Sequence, residues 1–379
     1  MSLFLQETRI RTSRLKKPPP KALAGGGLFL DREIIEFIQT SCRGDRAVVP
    51  AGDTFQTLAL KIFEYQFRKN KHYRNFCLLD KKNPKIIKHW KDIPAMPTIG
   101  FKELVLSTFP IRRAVKVFRT SGTTQSLRGA HFFDTLKLYE AAIIPPFKKY
   151  FLSDQASCAY FFLIHSPKAA PDSSLSHMMG VVNRQFAANR GRYYIKEGKP
   201  RFARLVRDLK SLKMPAFILS TAFSLKSFLD YLGSHRIILK LLKGSRIMET
   251  GGFKGRIKEI SKRRLYAECE KLLGLDKNFC VSEYGMTELS SQFYESKGCF
   301  AGPPWTRTLV IDPVTGKEAK KGKIGILRHF DLANRGSVIA IQTEDLGRAT
   351  GDGFQLIGRA SGSELRGCSL TYEEFLRGC

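Results

Sequence analysis

The chain has no long hydrophobic run. Its most apolar stretches, such as 156–164 and 236–242, are of strand or helix length. A bilayer-crossing helix needs roughly 18–20 such residues, so a helical membrane span is excluded. The opening residues also lack the continuous apolar core of a secretory signal. Acidic residues are scarce: 34 Asp+Glu stand against 64 Lys+Arg, for a net charge of +30. There is no C-x-x-C and no Cys/His ligand spacing among Cys42, Cys77, Cys158, Cys269, Cys280, Cys299, Cys368 and Cys379. That argues against a zinc site or a disulfide scaffold and for free thiols in a reducing, cytoplasmic setting. The Walker pattern G-x-x-x-x-G-K-[ST] is missing. So is the G-x-S-x-G of serine hydrolases, although His165-Ser166 and His177 are present. No zinc finger or aromatic-interleaved RNA-binding motif accompanies the positive charge, so nucleic acid is not the expected partner. The charge is spread along the chain, as on solvated faces, and would also suit an acidic protein.

What remains is ample for a large core: 379 residues, 43% hydrophobic and 11% aromatic. Residues 1–30 read as a flexible basic arm, with Pro18-Pro19-Pro20 and Gly25-Gly26-Gly27 among Arg and Lys. Asp31-Arg32-Glu33 before Ile34, Ile35, Phe37 and Ile38 predicts a capped amphipathic helix. A second long helix is predicted over 55–73. From Phe132 onward, helical patterns alternate with β-rich runs at 160–164, 216–220 and 245–249, which predicts an α/β fold with a largely parallel sheet. After Gly298 the texture turns to short strands at 308–311, 325–327, 338–343 and 354–357, a small β-rich part. The main domain is expected over 31–360, with a rudimentary segment at 361–379.

Four stretches carry the chemistry. Val117-Phe118-Arg119-Thr120-Ser121-Gly122-Thr123-Thr124-Gln125 is an apolar run entering a turn of hydroxyls and glycine. With a helix expected to follow, that layout suits phosphate: small residues let backbone N–H groups approach its oxygens and the hydroxyls donate to them. Met248-Glu249-Thr250-Gly251-Gly252-Phe253-Lys254-Gly255-Arg256 places a glycine pair at a strand end, where a flat base can lie against backbone. Ser282-Glu283-Tyr284-Gly285-Met286-Thr287-Glu288 supplies a ring to stack, a hydroxyl for phosphate and a carboxylate for Mg²⁺, a hard ion that takes oxygen ligands. Thr343-Glu344-Asp345 precedes Gly358-Arg359, and an acidic residue there can accept from ribose hydroxyls. Each stretch alone has a plain structural alternative: a tight turn at Gly251-Gly252, a core tyrosine at Tyr284, a helix-terminal carboxylate at Glu288, a turn former at Asp345.

Together and in this order, the four resemble the adenylate-forming (acyl-CoA synthetase-like) superfamily. Thr120-Ser121-Gly122-Thr123-Thr124 is similar to its phosphate loop. Tyr284-Gly285-Met286-Thr287-Glu288 matches its Y-G-x-T-E, and Thr343-Glu344-Asp345 its T-G-D. The stretch from Glu249 to Arg256, Phe55-Gln56-Thr57-Leu58-Ala59-Leu60 and Arg366-Gly367-Cys368 resemble more closely the acyl-protein synthetases (LuxE-type), which activate fatty acids in bacterial bioluminescence operons.

The resemblance implies a reaction in which a carboxylate attacks the α-phosphate of ATP, pyrophosphate leaves, and the acyl-adenylate yields its acyl group to a thiol. It implies that Ser121, Thr123 and Thr124 hold the β,γ-phosphates. Gly251, Gly252 and Tyr284 would line the adenine site, Thr287 the α-phosphate, Asp345 and Arg359 the ribose, and Glu288 would bind Mg²⁺. Cys368 would be the acylated cysteine, with Arg366 nearby to favour its thiolate. An acyl-carrier protein or acyl reductase is the implied partner class. The sequence departs from the superfamily in three places. Arg128 is expected to replace the loop's usual lysine, Glu344 replaces the T-G-D glycine, and with twenty residues after Arg359 the lysine of the superfamily's C-terminal domain is expected to be missing, with Lys254 or Arg256 as the expected substitute. A nucleotide- and acyl-binding relative without turnover and an acyl- or aryl-CoA ligase are the alternatives. Phe161, Phe162, Ala222 and Phe223 are expected walls for the acyl chain, with core packing as the competing role.

Overall fold

A computed structural model describes residues 25–41, 54–121, 128–154, 157–251, 260–351 and 353–360. Five strands, Arg192–Tyr193, Ala159–Leu163, Ala216–Thr221, Arg246–Thr250 and Cys280–Tyr284, run parallel in that spatial order. Each is short, and Ala159–Leu163 and Ala216–Thr221 are almost wholly apolar, the composition expected of strands covered on both faces. The alternation of side chains shows that cover. Phe161, Leu163, Ile218 and Ile247 pack with helices Phe202–Lys210, Ala222–Ser234 and Lys262–Leu273. Tyr160, Phe162, Phe217, Leu219 and Met248 pack on the opposite face with helices Lys137–Phe151 and Ser174–Phe186.

At Cys280–Tyr284 the sheet changes direction. Its other neighbour, Phe293–Ser296, is antiparallel. The sheet continues antiparallel through Cys299–Ala301, Gly353–Arg359, Ala340–Thr350, Ile324–Asp331 and Thr306–Ile311. The β-rich part expected after Gly298 is therefore the second half of one twelve-stranded sheet. Its strands contain the ranges expected at 308–311, 325–327 and 354–357, while the strand expected at 338–343 runs instead from Ala340 to Thr350.

The N-terminal helices cover this antiparallel half. Helix Gly25–Thr40 begins at the glycines that the sequence places in an arm, six residues before Asp31. Gly27 is there for a close approach, since a Cβ on it would sit 2.9 Å from the Tyr65 hydroxyl. Asp31 is thus inside the helix and caps nothing. It faces Arg335, which is 2% exposed. The helix predicted over 55–73 is two helices, Thr54–Lys69 and Lys71–Leu79. Asn70 breaks it: the backbone there is extended, and its side chain accepts from Tyr73 N at 3.1 Å as an N-cap. Gln66 and Asn70, both fully buried, tie these helices to the segment around Asn334–Ser337. Gln66 Nε2 donates to Asn334 O at 2.9 Å, Ile339 N donates to Gln66 Oε1 at 2.8 Å, and Asn70 Nδ2 donates to Ser337 O at 3.2 Å.

Among the described residues no helix is long and apolar enough to cross a membrane. The cysteines there, Cys77, Cys158, Cys269, Cys280 and Cys299, are free thiols.

Candidate active site

Parallel strands deliver their carboxyl ends to one edge of the sheet, and ligands of open α/β sheets bind outside that edge. Here Arg246–Thr250 ends at Gly251 and Cys280–Tyr284 ends at Gly285, side by side, with Thr250 in register with Glu283. Gly251 has φ +72° and open space where a Cβ would project, so its glycine is set by backbone conformation and leaves the strand end bare. Tyr284 is 8% exposed. Its ring is enclosed by Phe293, Phe300, His329 and Phe354, with centroids 5.4 to 5.9 Å away. It therefore occupies the core position that the sequence leaves as the alternative to base stacking, and only its hydroxyl faces the site. That hydroxyl donates to Asp345 Oδ2 at 2.8 Å.

A chain of polar groups stands behind that bond. His329 Nε2 lies 3.2 Å from the Tyr284 hydroxyl, and His329 Nδ1 lies 2.9 Å from Thr308 Oγ1. Because Tyr284 gives its proton to Asp345, His329 donates through Nε2 and accepts from Thr308. Burial pushes His329 down to about 3, so it stays neutral. Burial also raises Asp345, against the pull of the Tyr284 hydrogen bond and of Arg359. Arg359, in register with Asp345 across the strand pair, sits 3.6 Å from its Oδ1 and 3.4 Å from Glu344 Oε2. Glu344, where the superfamily has glycine, is thus the second carboxylate of that cation.

Thr287 and Glu288 follow Gly285 in a turn fixed by two side chains. The Thr287 carbonyl lies 2.9 Å from His131 Nδ1, and the Glu288 carbonyl accepts from Asn334 Nδ2 at 2.8 Å. A carbonyl only accepts, so His131 carries its proton on Nδ1 and takes the Ser337 hydroxyl proton, 2.9 Å away, on Nε2. Burial pushes His131 down to about 4. Just beyond the turn, Asp331 collects the backbone N–H groups of Ser290, Ser291 and Ala333 and the Ser291 hydroxyl, all at 2.8 to 2.9 Å. Glu288 itself is 7% exposed, and burial pushes its carboxyl up to about 7. Lys102 and Arg359 oppose that rise and Glu344 adds to it.

The hydroxyl loop departs from expectation. The residues after it form a strand, Ala130–Phe133, paired antiparallel with Lys116–Arg119, and the helix starts only at Lys137. Among the described residues the order is strand, strand, helix, so the next helix N-terminus follows the hairpin and not the hydroxyl stretch. The reason is local: Phe118 and Phe133 are buried together, and that burial sets a hairpin register from Lys116/Phe133 to Arg119/Ala130. Thr120 closes the loop, donating its N–H to Gly129 O at 2.9 Å and accepting Gly129 N on its hydroxyl at 2.8 Å. Arg128 is the residue the sequence offers in place of the loop's lysine. Its guanidinium donates back to Thr120 O at 2.7 Å and pairs with Asp172 at 2.8 Å. Thr287 Oγ1 lies 3.5 Å from Arg119 O, which sets the hairpin base beside the Thr287–Glu288 turn.

Of the residues expected from sequence, Thr120, Ser121, Gly251, Tyr284, Gly285, Thr287, Glu288, Asp345 and Arg359 fall within the described chain. Gly122, Thr123, Thr124, Gly252, Lys254, Arg256 and Cys368 lie outside it. The acyl-pocket expectation is corrected in part. Phe161 and Phe162 point to opposite faces of one strand and belong to separate clusters, so they cannot wall a single pocket. His131, His329, Asp331, Asn334 and Lys102 are what the sequence reading missed. The signal available was a pair of histidines in otherwise apolar strand runs.

No protein-family model matches the sequence. A long-chain-fatty-acid–luciferin-component ligase of Aliivibrio fischeri is 22% identical over 335 residues, covering 83% of this chain and 86% of that protein. Among solved structures, an open conformation of 2-hydroxyisobutyryl-CoA ligase, holding 2-HIB-AMP and CoA, superposes with a TM-score of 0.61 at 14% identity. That match covers 85% of this chain and 82% of the other. The same enzyme in its postadenylation state, holding R3-HIB-AMP, also gives 0.61, at 14% identity over 83% and 73%. ATP-bound MatB from Rhodopseudomonas palustris matches more loosely, at 0.47 and 15% identity over 65% of this chain and 48% of that one. The chain is thus similar over most of its length to a bacterial long-chain-fatty-acid ligase and shares the fold of 2-hydroxyisobutyryl-CoA ligase.

Proposed function

We propose that this protein is an acid–thiol ligase that uses ATP to activate a fatty or other hydrophobic carboxylic acid as its acyl-adenylate and passes the acyl group to a thiol. The observation that carries this reading is the convergence, at the seam of the sheet, of the Thr287–Glu288 turn, the Tyr284–Asp345 pair and the base of the hydroxyl loop. The relative's name, a ligase of a long-chain fatty acid, supports the substrate class.

The geometry supports the following roles. Asp345 has one oxygen committed to Tyr284 and the other 3.6 Å from Arg359, which orients it to accept from a ribose. The hydroxyls of Thr287 and Ser121 would serve the phosphates. Glu288 fits Mg²⁺ in donor chemistry, being a carboxylate whose ionised form a cation would favour. Among the described residues no group of three or more His, Cys, Asp or Glu could hold a metal alone. Mg²⁺ would then share its oxygens between Glu288 and nucleotide phosphates, as it does in many nucleotide enzymes, and would supply neutralisation of phosphate charge. Catalysis is by position and electrostatics. The acceptor thiol we assign to Cys368 or to a cysteine of a carrier protein or acyl reductase.

The test is carboxylate-dependent exchange of labelled pyrophosphate into ATP across short, long and aromatic acids. Exchange in the wild type that is lost in Glu288→Gln is the expected result. A labelled acyl group stays on the wild-type protein and is missing from Cys368→Ser if that cysteine is the acceptor. Folded protein that binds ATP yet exchanges with no acid would overturn the reading and leave a nucleotide-binding relative without turnover.

A further inference from the structure

Lys102 belongs to none of the motifs that carry the family resemblance, yet the fold sets it between two of them. It lies in the single-turn helix Gly100–Glu103, which follows strand Met96–Pro97. That strand is anchored on Ile341–Gln342, with Thr98 N donating to Gln342 O at 3.1 Å. Phe101, 2% exposed, plugs the turn into the core with its ring edge-on to His131 at 5.5 Å. These contacts fix the Lys102 backbone.

Its side chain then runs along the base of the hydroxyl loop. A Cβ built on Gly129 would lie 3.4 Å from Lys102 Cγ and 3.0 Å from Thr120 Cγ2, so stem, glycine and threonine meet at one point. Lys102 is exposed and forms no ion pair among the described residues, unlike Arg128, which is tied to Asp172. An ammonium without an ion pair among the described residues, on a fixed backbone and with its stem packed at the base of a phosphate-type loop, is placed for polyphosphate.

We propose that Lys102 is a catalytic residue of adenylation, its ammonium contacting the β- and γ-phosphate oxygens of ATP. This rests on the adenylation reading above. In that step a carboxylate oxygen bonds to the α-phosphorus and the bond from the α-phosphorus to the α,β-bridging oxygen breaks. The electron pair leaves with pyrophosphate, and no proton moves. The charge appearing on the leaving group is what the ammonium stabilises.

The experiment compares wild type, Lys102→Met and Lys102→Arg in two assays: ATP and AMP binding by calorimetry, and pyrophosphate exchange. In Lys102→Met, ATP binding falls at least tenfold while AMP binding stays within twofold. Exchange kcat falls about 100-fold to 1,000-fold, the scale of losing one preorganised charge-stabilising donor. Lys102→Arg recovers a good part of both, and thermal melting of all three coincides because the side chain is exposed. Equal ATP affinity in wild type and Lys102→Met overturns the proposal, as does exchange within threefold of wild type. A wild type that exchanges with no acid counts against the adenylation reading. The ATP-over-AMP preference still decides whether Lys102 meets the phosphates.

Discussion

Arg335 offers the sharpest test of how the N-terminal helices are held. Its guanidinium makes four charge-assisted hydrogen bonds. Nε and Nη2 reach Asp31 at 2.7 and 2.9 Å, and Nη2 and Nη1 reach Asp134 at 3.0 and 3.1 Å. Arg335 is buried, and the Asp31 side chain is 8% exposed. Arg335→Met keeps most of the volume and strands the Asp31 carboxylate among apolar neighbours. Breaking a buried pair in this way costs about 3–5 kcal/mol, mostly because one charge is left uncompensated. Burial already raises the Asp31 carboxyl even with the arginine present, and without it the rise is larger. A carboxyl whose folded pKa exceeds its unfolded value loses stability as pH climbs between the two. The loss in Arg335→Met is therefore larger at pH 8 than at pH 5. Asp31→Asn, added to Arg335→Met, recovers about 1–3 kcal/mol by removing the stranded charge. Urea unfolding followed through Trp90 and Trp305, both buried, reads these differences as midpoint shifts at constant slope. A loss under about 1 kcal/mol that is equal at both pH values, with no recovery from Asp31→Asn, would refute the reasoning.

Two further outcomes follow from buried carboxylates. Burial pushes Glu283 up from 4.5 to about 7, against a hydrogen bond from Thr250. The folded chain therefore holds that proton more tightly than the unfolded chain between those values. Its contribution to stability falls by about 3 kcal/mol as pH rises through the window. Glu283→Gln should gain stability over wild type from pH 5 to pH 8 in urea titrations, and parallel curves would sink the idea. Asp331→Asn turns an amide nitrogen toward groups that are themselves donors, whichever way it is placed. It should cost about 2–4 kcal/mol by the same measurement, whereas a loss below about 0.5 kcal/mol would mean those bonds are not made in solution.

Much of the parallel half was legible, because strands buried on both faces are apolar almost without interruption, and 160–164 and 216–220 stand out for that reason, while 245–249 shows only its Ile247–Met248 centre. The motif stretches stood out by their order along the chain, since each one alone has a plain structural use. The hairpin after Phe118 was not legible. Ala130–Phe133 spans four residues, too few to separate period 2 from the helical pattern that follows. Asn70 was hidden in the same way, since apolar residues on either side keep the helical period through the break. His131 and Lys102 could not have been found by spacing. His131 meets Thr287 across 156 residues, and Lys102 meets Gly129 only because one strand pair carries its turn to the hairpin.

The bonds of Gln66 and Asn70 have a consequence for how the chain is made. Their partners lie 267 to 273 residues downstream. At about 5–20 residues per second on the ribosome, those partners emerge roughly 15 to 55 seconds after the helices that need them. During that interval the two amides stay solvated, and Phe55, Leu58, Ile62 and Phe63 have no antiparallel sheet to cover them. The first helices synthesised are among the last to be seated, and the nascent chain carries an open apolar face for most of its synthesis.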